Sequence, residues 1–220
     1  MGVSPRTDAA ASRPMQAPPP LARLEITTER LRMVAGDTGI AAPVCAFQRR
    51  NRVHFARWDP PTADSFYTVE AQGLRVQQSL AAFHADSAYR WWLIDATRAG
   101  GARLPTTDVE VIGSIQFGHV SRGAFQSATL GYALDEAYVG RGLMQEALGA
   151  ALQEVFSPRV NLHRVQAAYR PENLRSARVL ERLGFQVEAL APAYLFIDGA
   201  WRDHHVAAIR NPDFVLPEGW

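Results

Sequence analysis

The chain has 220 residues, of which 47% are hydrophobic and 20% charged, with a formal net charge of +1. That balance fits one globular domain able to bury a sizeable core, and so small a charge calls for neither nucleic acid nor a membrane surface as partner. A lone cysteine, Cys45, excludes an intramolecular disulfide; with no apolar run near the ~18 residues that span a bilayer and no apolar signal-peptide centre, a cytoplasmic protein is expected.

Residues 1–22 are rich in Ala and Pro and poor in large apolar side chains. Burial there cannot offset ordering entropy, so a disordered tail is expected. The folded domain is expected over 23–214, with 215–220 as a C-terminal tail. Residues 24–34 read as a strand. Asp37 can cap a short helix ending near Arg49, and 49–65 read as a polar loop carrying Phe55 and Trp58. Residues 66–85 place Leu74, Val76, Leu80 and Phe83 at near-helical spacing. Residues 89–96 and 109–120, rich in β-branched and aromatic side chains, read as strands joined by a loop. A turn at Gly123 leads to a further strand over 127–134.

From Gly142 the period changes. Leu143, Met144, Ala147, Leu148, Ala151, Leu152, Val155 and Phe156 recur at intervals of three to four, an amphipathic helix that Pro158 stops. Residues 163–169 are the next strand. Asn173 and Gly184 stand at the N-cap and C′ positions of a helix over 174–183. Strands over 185–190 and 204–209 finish the domain, with Asp198-Gly199 as a hairpin turn. The expected fold is therefore a mixed α/β (α+β) sheet of about seven mostly antiparallel strands flanked by four helices. One parallel crossover joins 127–134 to 163–169.

The segment with most chemical content is the turn before the long helix. Gly140 and Gly142 let the backbone approach a ligand, and the unpaired N–H groups of the first helical turn face it. Such a site suits a pyrophosphate, to which Arg141 can add a cation. Without a ligand, the same residues would make a tight strand–helix connection. The spacing is neither a P-loop nor a dinucleotide fingerprint.

This turn resembles the coenzyme A site of GNAT acetyltransferases: Gln or Arg, two residues of any kind, Gly, any residue, then Gly or Ala. The frame falls on Val139, Gly140, Arg141, Gly142, Leu143 and Met144, with Val139 replacing the polar first residue and Met144 the small last one. Residues 51–61, 123–134, 163–185 and 194–204 resemble RimJ-type segments of that family in the same order. The resemblance covers roughly residues 24–214 and implies a GNAT fold splayed between the fourth and fifth predicted strands, at Tyr132–Leu134 and Ala168. It implies acetyl-CoA as co-substrate, no metal, and direct attack of an amine on the thioester. It also implies that the backbone of Tyr132, Ala133 and Leu134 pairs with the pantetheine amides, that Asn173 contacts the pantetheine, and that Arg178 reaches the nucleotide phosphates. Asn173 can equally be read as an N-cap alone, and Arg178 as part of a solvated helix face.

Relatives often place a Glu base where this chain has Ala168 and a Tyr acid where it has Leu180. The remaining candidates are Ser176 as acid, also readable as a structural first-turn serine, and Asp59, Glu172 or Glu136 as base. An α-amine, with a pKa near ~8 against ~10.4 for lysine, needs the less help from a base. This fits the acceptor that the RimJ-type resemblance implies, the N-terminus of a protein such as a ribosomal protein. A small amine, or a non-catalytic acetyl-CoA-binding role in ribosome assembly, are the alternatives, and a homodimer is left open. Arg49, Arg50, Arg52, His54 and Arg57 around Phe55 and Trp58 read as a solvated face with anchored aromatics rather than a nucleic-acid platform. His204 and His205 point to opposite faces of a strand and form no metal pair, and Arg202 and Asp203 read as a polar pair.

Overall fold

The computed structural model describes residues 22–36, 38–97, 105–217 and 219. The expected tail over 1–22 lies outside the described residues except for Ala22, which is buried against the core. The expected Asp37 cap also lies outside them.

The elements, in chain order, are β1 (Glu25–Thr27), β2 (Leu31–Val34), α1 (Ala41–Arg50), α2 (Arg52–Ala56), α3 (Val69–His84), β3 (Tyr89–Asp95), β4 (Val111–Ser121), β5 (Ser127–Leu134), α4 (Leu143–Phe156), β6 (Arg164–Tyr169), α5 (Leu174–Arg182), β7 (Gln186–Ile197) and β8 (Ala200–Arg210). Short 3-10 turns occupy Thr38–Ile40, Asp64–Tyr67 and Glu136–Tyr138. One eight-stranded sheet runs in the order β1-β2-β3-β4-β5-β6-β8-β7. Only β5 and β6 pair in parallel, with α4 as the crossover, so the mixed, mostly antiparallel sheet is as expected.

The details differ in four places. Residues 24–34 form a hairpin, β1 against β2, because Thr28 turns the chain: its N–H donates to Leu31 O at 2.9 Å and its Oγ1 accepts from Leu31 N at 3.1 Å. This turn raises the strand number to eight. The expected loop over 49–65 contains α2 and a 3-10 turn. Helix α3 begins at Val69 rather than 66, since Thr68 Oγ1 caps it by accepting from Ala71 N at 3.2 Å. The last two strands reach 12 and 11 residues because the Asp198-Gly199 turn, φ 50° and 72°, lets them pair up to Ile197↔Ala200.

Alternation along β3 divides the core. Tyr89, Trp91 and Leu93 face α4 and α5, where Trp91 meets Phe83 at 5.3 Å and Phe117 at 6.2 Å between ring centroids. Trp92 and Ile94 face α1 and α3 with Val44, Phe47, Phe55 and Val76. Six of the seven residues of β3 are buried, as expected of a strand with helices over both faces.

Candidate active site

The β5–β6 ladder runs Ser127↔Arg164, Ala128↔Val165, Thr129↔Gln166, Leu130↔Ala167, and stops. Beyond it β5 continues to Leu134 against β4, and β6 continues to Tyr169 against β8. The edge of β5 over 131–134 therefore faces a gap instead of a strand, with backbone groups available to an extended ligand. A Cβ built at Gly131 would meet nothing within 4 Å, so the sheet face above this residue, on the side of Gln116, is open.

From this edge the chain passes to α4 through a turn held rigidly at its start. Asp135 is 4% exposed. Its Oδ2 accepts from Arg50 Nε and from Asn51 Nδ2 at 3.0 Å, and its Oδ1 accepts from Ala137 N at 3.0 Å. Burial alone would raise this carboxyl, yet Asn51, Arg50 and the Ala137 N–H together hold it below the usual range. Asn51 Oδ1 in turn accepts from Glu136 N at 3.0 Å. Gly140 and Gly142 follow with φ 84° and 76°, a left-handed conformation that other residues adopt only with strain. Gly142 is the N-cap of α4 and supplies no side-chain acceptor, so the first-turn amides at Leu143 and Met144 are left for a ligand. The turn is braced from below: Arg30 Nη1 donates to Arg141 O at 2.9 Å, and Arg30 pairs with Glu146 at 2.6 Å. Val139 and Arg141 belong to this turn, and Arg141 Nη2 donates to Ala137 O at 2.8 Å.

Across the gap stands the N-terminus of α5. Asn173 Oδ1 accepts from Ser176 N at 3.1 Å, so Asn173 is an N-cap. Ser176 Oγ lies 2.6 Å from Tyr132 Oη, a contact that joins the splayed strand to the helix. Sequence reading named Tyr132 for its backbone alone; the side chain was missed because nothing local to either residue brings positions 132 and 176 together. Burial lifts the Tyr132 hydroxyl to about 12, against the opposing bond from Ser176. Arg178 is exposed and has no hydrogen bond or ion pair among the described residues.

The candidate bases are not brought together. Glu172 is exposed beside Arg170; a bond from its own backbone N–H, aided by Arg170, holds its carboxyl below the ordinary value, which makes it a weak base. Glu136 is 72% exposed, 3.8 Å from His54. Asp59 follows α2 on the opposite side of the sheet from Ser176. Desolvation lifts its carboxyl to about 6 against the pull of Arg75, although the residue as a whole is exposed. Arg170, just after β6, ties this loop down by donating from Nη1 to Arg57 O at 2.7 Å and lying 5.5 Å from the Trp58 ring centre.

Several of the basic side chains before Trp58 are engaged within the fold: Arg49 Nε with Tyr67 O at 2.7 Å, Arg50 with Asp135, and Arg52 with Asp64 at 2.5 Å. The expected polar pair of Arg202 and Asp203 does not form. Neighbours on a strand point to opposite sides, so Arg202 donates to Asp198 O at 2.9 Å and Asp203 accepts from Ala193 N at 2.8 Å. Among the described residues no group of His, Cys, Asp and Glu could hold a metal ion, and no helix is long and apolar enough to cross a membrane.

A family model described as an acetyltransferase (GNAT) domain matches residues 30–186. The chain is 37% identical over 166 residues to a probable N-acetyltransferase, YjcK, of Bacillus subtilis, covering 76% of this chain and 86% of the relative. It is 33% identical over 194 residues to the ribosomal protein uS5-alanine N-acetyltransferase of Escherichia coli, covering 88% and 94%. Its fold is similar to the crystal structure of a ribosomal-protein-S5-alanine acetyltransferase from Vibrio fischeri, with a TM-score of 0.80 and 30% identity over 88% of this chain and all (100%) of that one. It is also similar to Mycobacterium smegmatis RimJ in complex with CoA-disulfide, with a TM-score of 0.72 and 28% identity over 82% and 81%.

Proposed function

The chain belongs to the acetyltransferase (GNAT) domain family, and from that premise we propose that it moves an acetyl group from acetyl-CoA to the α-amine at the N-terminus of a protein such as a ribosomal protein. The observation that carries this reading is the end of the β5–β6 ladder at Leu130↔Ala167, beside a helix whose first-turn amides are free. Relatives that act on ribosomal protein uS5 share about a third of their residues with it along nearly their whole length, which supports the choice of acceptor.

The residues present fit acetyl-CoA. A Cβ atom placed at Gly140 would meet nothing within 4 Å, so the turn is approachable, and β5 beyond Leu130 has no pairing with β6. The turn from Val139 to Met144 would hold the pyrophosphate through backbone N–H groups, and Tyr132, Ala133 and Leu134 would pair with the pantetheine amides. Asn173 would border the arm and Arg178 would reach the nucleotide phosphates from the exposed side of α5. The co-substrate supplies an activated acetyl thioester. The protein must then take one proton from the acceptor ammonium and give one to the departing sulfur. Asp59, with its raised carboxyl, suits the first task better than Glu172. The Tyr132–Ser176 hydroxyl pair suits the second, because a neutral hydroxyl held beside a second hydroxyl can donate and be resupplied.

Mass spectrometry of N-terminal peptides incubated with the protein and acetyl-CoA tests this reading. Peptides beginning with Ala or Ser should gain one acetyl group at the α-amine, and lysine peptides with blocked N-termini should gain none. Acetylation of polyamines or amino acids in place of peptides would transfer the assignment to a small amine. Stabilisation by acetyl-CoA with no transfer to any acceptor would leave a binding role in its place.

A further inference from the structure

On the α1/α3 face, the polar side chains of β3 and β4 have no part in the transfer described above. Arg90 is 9% exposed and donates to Gln116 Oε1; no carboxylate pairs with it among the described residues. Beside it, Trp92 is fully buried; its Nε1 has no hydrogen-bond partner among the described residues and lies against Gly36, at the end of β2 and away from Gln116. Arg75, from α3, gives one bond to Gln72 Oε1 at 3.3 Å. The guanidinium carbons of Arg75 and Arg90 lie 5.4 and 5.3 Å from the centre of the Trp92 ring. Burial, with Arg75 adding repulsion, lowers Arg90 to about 9. Asp59 is near enough to act on Arg75, yet forms no ion pair with it.

A buried cation is ordinarily paired, because removal from water without a counter-charge costs several kcal/mol. Here two guanidiniums lie over one indole ring, and the acceptors bonded to them are the neutral amides of Gln116 and Gln72. Their complement is a carboxylate, whose two oxygens match the planar fork of an arginine. The location gives this meaning. Gln116 pairs with Gly131, the first residue of β5 beyond the end of the parallel ladder, and the space above Gly131 is open. Strands lie ~4.8 Å apart, so Arg90, two strands from β5, is ~10 Å from β5 and ~12 Å from the middle of the gap beyond it. An extended peptide advances ~3.3 Å per residue and covers that distance in about three to four residues.

We propose that Arg75, Arg90 and Gln116, beside Trp92, form an acceptor subsite for a carboxylate, so that the protein selects amines carrying an acidic group ~12 Å from the reacting nitrogen. On a protein N-terminus, this is an acidic side chain at the third or fourth residue. The proposal rests on the reading that the amine reacts at the β5–β6 gap.

The test uses the full chain, short peptide amides beginning with Ala and carrying Glu or Gln at the third or fourth position, and free glutamate as a small carboxylated amine. Binding is measured by calorimetry and transfer by mass spectrometry. The Glu peptide should bind at least about tenfold more tightly than the Gln peptide. Arg90→Gln should bring that ratio to about one, and Arg75→Gln, at a half-exposed helix position, should reduce it with little risk to folding. If the preference holds without transfer to either peptide, the carboxylate subsite stands and the N-terminal acceptor falls. If glutamate binds as tightly as the Glu peptide and shows the same Arg90 dependence, the carboxylate comes from a small amine. Equal binding of Glu and Gln peptides with no binding of glutamate, or equal weakening of both peptides by Arg90→Gln, overturns the proposal.

Discussion

Asp59 and the Tyr132–Ser176 pair make separate demands on experiment. With its carboxyl near 6, Asp59 must lose a proton before it can accept one, so kcat/KM should rise with pH through about 6 and then level. Asp59→Asn should abolish that limb and lower the rate on the order of 10²-fold or more. A persistent limb near 6 in the variant would exclude Asp59 as the base. The raised value also has a stability consequence of definite sign. The folded protein holds this proton more tightly than the unfolded chain between the ordinary value of 3.8 and about 6. Stability therefore falls across that window as pH rises, and Asp59→Asn should remove this part of the fall. At the sulfur end, Tyr132→Phe and Ser176→Ala should each reduce kcat by about 10²-fold while leaving the KM for acetyl-CoA nearly unchanged. Because the two hydroxyls lie 2.6 Å apart, the double variant should be little worse than either single one. Independent, multiplying losses would show that they do not act as a unit.

At the scale of elements, the junction between β5 and α4 depends on Asp135, which ties it to α1 through Arg50 and Asn51. Its folded carboxyl lies below the ordinary value of 3.8. The stability it contributes is thus complete above about 3.8 and is lost as pH falls through the lower folded value. Asp135→Asn should cost about 3 kcal/mol in urea unfolding at neutral pH by leaving Arg50 poorly paired, and should weaken acetyl-CoA binding by loosening the turn. Helices α4 and α5 were legible in the sequence because their signals are local: a three-to-four residue period in one, an Asn173 cap and Gly184 stop in the other. The β1–β2 hairpin was not, since Thr28 also reaches Glu146, 118 residues away, at 2.6 Å. Helix α2 was hidden in a polar segment whose Phe55 packs with residues remote in the chain. The same division runs through the site. The glycines of the turn before α4 declare themselves by type and spacing. The Tyr132 hydroxyl and the Arg75–Arg90 cluster depend on strand register and on helices far apart in sequence.

At the scale of the whole molecule, the sheet separates two chemistries. Tyr132, Ser176 and α4 stand on one face; Asp59, Arg75 and Arg90 stand on the other, and the gap between β5 and β6 is where the faces communicate. Trp91 anchors the first face, and Trp91→Ala should cost about 3–5 kcal/mol in urea unfolding. On the proposed function, acetyl-CoA and the acceptor would enter this gap from opposite faces, which bears on the order of events. Neither reactant need wait for the other to arrive, and neither product obstructs the other's exit. Initial-rate plots should therefore intersect, as for a sequential ternary complex. Desulfo-coenzyme A should compete with acetyl-CoA and act noncompetitively against the peptide, whereas an N-blocked peptide should show the converse pattern. Uncompetitive inhibition by the blocked peptide against acetyl-CoA would instead reveal an obligatory order, in which the thioester completes the acceptor's binding site.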